Sequence, residues 1–93
     1  MRVTVSFLGA LREQIGRQSL AVELPASATY RDLLDAIAPT VQEGLPTWAW
    51  DIQKRSFPKQ MMISRNLSVD LRDEATPLAD GDEIIVVPPL AGG

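Results

Sequence analysis

The sequence predicts an α+β domain, with four to five strands in one sheet and one main helix packed on one face. Apolar and polar residues alternate near both ends of the chain, an apolar stripe at helical spacing lies between them, and prolines and tight-turn residues punctuate the intervals.

Val3, Val5 and Phe7 alternate with Arg2, Thr4 and Ser6, which predicts a first strand running to about Leu8 with one face buried. Leu20, Val22 and Leu24 alternate again until Pro25 stops the run. The two strands read as a hairpin with a long connection, in which Gly16 is placed to take a positive φ. Thr29 and Asp32 have the spacing of a capping box, and Tyr30, Leu33, Leu34 and Ile37 form the buried stripe of a helix that Pro39 is expected to end.

Residues 41–59 contain Gly44, Pro46 and Pro58, both tryptophans and both lysines, and read mostly as loop with room for a short helix. Trp48 and Trp50 fit two roles: anchors for a partner, or, for at least one of them, a cap on the core at the end of the helix. Lys54 and Lys59 read as solubilising. Met61-Met62-Ile63 predicts a third strand, residues 67–71 a short edge strand, and Asp80-Gly81-Asp82 a tight turn into a last strand from Glu83 to Val87.

That last strand is apolar on both faces. In a sheet covered on one side by a helix, a central strand buries Ile84 and Val86 and turns Ile85 and Val87 to the open side, where the out-of-phase Leu8 joins them. Leu8, Ile85 and Val87 are therefore a candidate partner-binding patch. The alternative is that residues 41–59 fold back over this face.

Composition narrows the function. Ninety-three residues suit one domain, and a net charge of −3 with a pI near 4.7 argues against nucleic acid, whose phosphates need clustered Lys and Arg. A basic protein surface suits this chain better, with Asp80, Asp82 and Glu83 expected either to steer it there or simply to solvate the turn. The absence of Cys and His removes thiol nucleophiles, imidazole bases and the commonest zinc ligands, so neither a metal site nor a bound cofactor is expected. The remaining Ser, Thr, Tyr, Lys and carboxylate side chains show no catalytic spacing. No apolar run is long enough to span a bilayer and the N-terminus enters a strand at once, so no membrane role and a cytoplasmic location are expected.

The chain closes with Pro88-Pro89-Leu90-Ala91-Gly92-Gly93. Two glycines end roughly 0.5% of chains by chance. A carboxylate carried on residues without a Cβ can enter a narrow channel. Leu11-Arg12-Glu13 followed by Gly16, the helix start from Thr29 to Leu34, and Pro77-Leu78-Ala79-Asp80-Gly81-Asp82-Glu83 running into this ending resemble the MoaD/ThiS family of ubiquitin-like sulfur carriers. The resemblance covers residues 1–38 and about 60–93. Its ending is closest to the molybdopterin synthase small-subunit branch. An Asn that the family carries after its third strand falls within Ser64-Arg65-Asn66.

The resemblance implies a β-grasp domain with a mixed sheet over residues 1–87 and an extended tail over 88–93. It implies that the Gly93 carboxylate is adenylated by a ubiquitin-activating-type adenylyltransferase using ATP and magnesium, then converted to a thiocarboxylate. Pro88, Pro89, Leu90, Ala91 and Gly92 would thread the partner's channel. The implied partners also include a sulfur donor, such as a cysteine desulfurase or rhodanese, and a larger MoaE-like synthase subunit. The chain would then be a non-catalytic subunit of a sulfurtransferase complex in molybdenum cofactor biosynthesis. Thiamine, cysteine, tRNA or a secondary metabolite are alternative sulfur recipients. Conjugation to proteins through Gly93, or a plain binding module using the sheet face, are readings of a different class.

Overall fold

The first and last strands of the domain lie side by side in the middle of the sheet. In the computed structural model, which describes residues 1–67 and 69–89, β1 (Arg2–Phe7) pairs antiparallel with β2 (Ser19–Glu23) and parallel with β5 (Glu83–Val87). β3 (Met62–Arg65) pairs antiparallel with β5 on its other side, and the two-residue β4 (Val69–Asp70) closes the edge. The order β2-β1-β5-β3-β4 makes the last strand central, as its two-sided apolar character predicts. The register aligns Val5 with Ile84, and Phe7 and Ile63 with Val86. This row of apolar side chains is buried under the long helix α2 (Tyr30–Gly44), whose Tyr30, Leu33, Leu34, Ile37 and Val41 complete the core.

The capping box at the start of α2 is formed. Asp32 Oδ2 accepts from the Thr29 N–H at 2.8 Å, and Thr29 Oγ1 accepts from the Asp32 N–H at 3.5 Å. Pro39 does not end the helix. It sits on the exposed face, where the carbonyl left without a helical donor can be hydrated, while Val41 carries the buried stripe one turn further. The stop comes at Pro46, which restricts the residue before it: Leu45 is extended, with φ −87° and ψ 140°.

The connection between β1 and β2 contains a second, short helix, α1 (Ala10–Ile15), where the sequence pattern indicates only a long link. One turn and a half with a single buried side chain, Leu11, is too brief to show a helical period. Gly16 ends α1 in the left-handed conformation anticipated for it, its N–H donating to the Arg12 carbonyl at 3.0 Å. The predicted edge strand over 67–71 shrinks to two residues, because Asn66 and Leu67 both take positive φ and keep the chain in a turn.

Residues 46–60 pack on the helix side of the sheet. Trp50 is fully buried and meets Phe57 edge-on with ring centroids 4.9 Å apart, so it caps the core; Trp48 remains exposed. Arg31 fastens this segment, its guanidinium donating to the Lys54 and Arg55 carbonyls and pairing with Asp35 at 2.8 Å and Glu74 at 3.2 Å. Burial disfavours the charged guanidinium, but hydrogen bonds and the charges of Asp35 and Glu74 more than offset this and hold its pKa above the ordinary value.

The ends of the two helices touch at Gly44, where a Cβ would lie 2.6 Å from the Gln14 carbonyl oxygen and 3.0 Å from the Ile15 Cα. Backbone has little room to yield at such a contact. Gly44→Ala is expected to destabilise the domain by about 1–3 kcal/mol in denaturant unfolding. An unchanged midpoint would show that the two helices separate without loss. Trp50→Ala, which empties the largest buried side-chain volume, should cost about 3–5 kcal/mol by the same measurement.

Candidate functional site: an apolar row at the exit of the central strand

Burying Ile84 and Val86 fixes the direction of every other residue in β5. Ile85 and Val87 face the open side of the sheet and are half-buried by their neighbours. Ile85 lies between Ser6 on β1 and Ser64 on β3. One step further, the pairing of Phe7 with Val86 continues into Leu8, whose N–H donates to the Val86 carbonyl at 3.2 Å, and on the other flank Val87 lies opposite Met62. Leu8, Val87 and Met62 thus form an apolar row across three strands at the point where the chain leaves the sheet, with Leu8 45% and Met62 56% exposed.

The expected patch of Leu8, Ile85 and Val87 is therefore assembled on one face, and residues 46–60 do not cover it. Met62 is the member that the sequence reading missed. Its orientation was available from the period of two, since burying Ile63 turns Met62 outward.

The row continues into the tail. Pro88 is half-buried and Pro89 exposed, and the Pro88 ring stands near Gly9, where a Cβ would lie 3.8 Å from its Cγ. Gly9 takes φ 60° and ψ −137°, a region essentially restricted to glycine, so the turn after β1 that flanks the tail's root depends on this residue. Leu90, Ala91, Gly92 and Gly93, the remaining predicted tail and cargo residues, lie outside the described residues.

A polar clasp anchors the start of β5. Asn66, with φ 54°, donates its backbone N–H to the Glu83 carbonyl at 2.8 Å, accepts the Glu83 N–H on its Oδ1 at 2.9 Å and donates through Nδ2 to Asp82 Oδ1 at 3.1 Å. Asp82 Oδ2 accepts from the Ala79 N–H at 2.9 Å. At 6% exposure, Asp82 is occupied inside the turn and is not the steering charge that its position beside Asp80 and Glu83 allowed. Asp80 accepts from the Arg2 N–H at 2.8 Å, and Glu83 remains exposed. Asn66 is the residue immediately after β3, within the stretch where the resemblance leads one to look for an Asn.

On the helix side, residues 51–60 and 71–74 border a cavity of about 570 Å³ whose walls include Tyr30, Leu34, Phe57, Lys54, Lys59 and Arg72. Among the described residues no group of acidic side chains could hold a metal ion, and no helix is long and apolar enough to cross a membrane.

A mixed sheet that grips one long helix, with the last strand central and leading out beside an uncovered apolar row, defines a β-grasp domain of the ubiquitin-like kind. The ThiS family model matches residues 5–93, and the chain belongs to that family. Solved structures agree on the fold. SAMP1 from Haloferax volcanii superposes with a TM-score of 0.81 at 22% identity over the full length of both chains. Urm1 from Trypanosoma brucei gives 0.70 at 22% identity, over 99% of this chain and 95% of that one. A chain in the complex of subunits 1 and 2 of the molybdopterin-converting factor from Helicobacter pylori 26695 gives 0.66 at 26% identity, with both chains fully covered.

The clasp can be tested by two substitutions at one position. Asn66→Gly keeps access to the left-handed backbone but loses the side-chain bonds, whereas Asn66→Ala loses both. The alanine variant should be the less stable by about 1 kcal/mol in chemical denaturation. Equal stability would mean that the backbone conformation at Asn66 carries no cost.

Proposed function

We propose that this chain is a sulfur carrier whose Gly93 carboxylate is activated and charged with sulfur by partners that dock on the open sheet face. One observation carries the reading: the central strand turns Ile85 and Val87 outward, in line with Leu8, and leads straight into Pro88-Pro89 and the Gly-Gly ending. The domain grips the partner outside while the last six residues, spanning at most roughly 20 Å, reach the reacting groups inside. Pro88 and Pro89 fix φ and lower the entropy lost on insertion; Leu90 and Ala91 fill a groove, and Gly92 gives clearance.

The chain supplies the electrophile and its presentation. A carboxylate resists attack, and joining it to AMP at the expense of ATP and magnesium on a ubiquitin-activating-type enzyme provides a leaving group. A persulfide on a sulfur donor, of the cysteine desulfurase or rhodanese kind, attacks the acyl carbon as AMP departs. A partner thiol then breaks the S–S bond and leaves the thiocarboxylate on Gly93. The absence of any cysteine keeps an internal thiol from capturing the activated end. The pathway that fits best is molybdopterin biosynthesis, in the cytoplasm, with a larger MoaE-like subunit passing the sulfur to the pterin precursor. The Helicobacter pylori factor, in which a similar chain is seen with a second subunit, supports this assignment.

Intact mass after incubation with the activating enzyme of its organism, ATP, magnesium and a persulfide source should show one carboxylate oxygen replaced by sulfur at Gly93. No shift with an active enzyme would exclude the carrier role. Val87→Asp should weaken partner binding by about tenfold or more without unfolding the domain, since the charge enters an apolar contact. Loss of Gly93 should leave docking intact and abolish transfer. Unaltered binding of the Val87→Asp chain would remove the open face from the docking surface.

A second reading, conjugation to lysines of other proteins, is favoured by the likeness to a small archaeal modifier protein, SAMP1 of Haloferax volcanii. Under it, higher-mass conjugates appear in cells and vanish when Gly93 is deleted.

A further inference from the structure

We propose that Met62 is a peroxide-sensitive modification site and that its oxidation blocks docking at the open face. The inference rests on the docking role proposed for that face. The chain carries its methionines in three different settings. Met61 is fully buried on the core side of the sheet, and Met1 is partly buried against the core. Met62, one residue further along, faces the other way, is 56% exposed and lies opposite Val87 in the apolar row. With no cysteine in the chain, no thiol competes for the oxidant, and an exposed thioether becomes the most accessible soft nucleophile.

The reaction balances with one peroxide. Met62 Sδ attacks an oxygen of hydrogen peroxide, the S–O bond forms as the O–O bond breaks, and the peroxide proton passes to the departing hydroxide to give water. Sulfur is oxidised by two electrons and the peroxide reduced by two. The product, methionine sulfoxide, carries a strong acceptor where the thioether was apolar. The row neighbours Leu8 and Val87 have no side-chain donor to satisfy it, so a partner closing over the row buries an unpaired polar group. A sulfoxide reductase would restore the surface.

The test is peroxide titration of the purified full chain, with peptide mapping of the oxygen and partner affinity measured on the same samples. The first oxygen is expected on Met62, and affinity for the activating enzyme should fall by roughly tenfold to a hundredfold. The affinity of Met62→Leu, whatever its starting value, should not change on peroxide treatment, while Met62→Gln should be weak without it. Earlier oxidation of Met1 or Met61 would overturn the site assignment. Undiminished binding after full conversion of Met62, or equal peroxide sensitivity of Met62→Leu, would overturn the block. If the untreated chain fails to bind the activating enzyme, the docking reading itself fails and takes the block with it; the mapping still reports on the site.

Discussion

The alternation of side chains along β5 is the constraint on which the rest of the molecule depends. Ile84 and Val86 must lie under α2 for the core to close, and the strand's period of two then forces Ile85 and Val87 to the other face. A slip of one residue would expose Ile84 and Val86 and bury Ile85 and Val87 in their place. The clasp from Asn66 to Asp82 and Glu83 holds the strand's start, and pairing on both flanks holds its length. The position at which the chain leaves the sheet at Pro88 is therefore set by packing energy.

Much of this was legible in the sequence because it follows from simple periods. Val3, Val5 and Phe7, the stripe from Tyr30 to Ile37 and the two-sided run Ile84 to Val87 each declare an element and its buried face. What was illegible came from contacts between elements. Pro39 looks like a terminator in any local reading, yet Val41 on the same helix reaches the core and the helix continues to the residue before the extended Leu45. Helix α1 is too short to leave a period, and Gly44 owes its identity to Gln14 and Ile15, thirty residues upstream in the chain.

The candidate site divides in the same way. Leu8, Ile85 and Val87 follow from phase alone, and Met62 would have followed had the same rule been applied to β3. The carboxylates around Gly81 did not sort themselves by sequence: Asp82 is drawn inward by Asn66 and Ala79, while Glu83 stays out. The segment with both tryptophans kept its two readings open because a buried Trp50 and an exposed Trp48 have the same local signature. Arg31 resolves the matter physically by fastening residues 54 and 55 to α2, which commits the segment to the helix side and leaves the opposite face of the sheet bare.

The parallel pairing of β1 with β5 also bears on how the molecule is made. β1 and β3 are not neighbours, and only β5 bridges the two halves of the sheet. During synthesis the hairpin of β1 and β2, the helix and the β3–β4 pair emerge first, but they cannot join until Glu83 to Val87 arrives. A chain interrupted before that strand would hold neither a closed sheet nor an aligned apolar row. Under the proposed carrier role, partners that read the row engage a copy only once its sheet has closed, so a full-length chain that has not folded is passed over even though it carries the Gly-Gly ending.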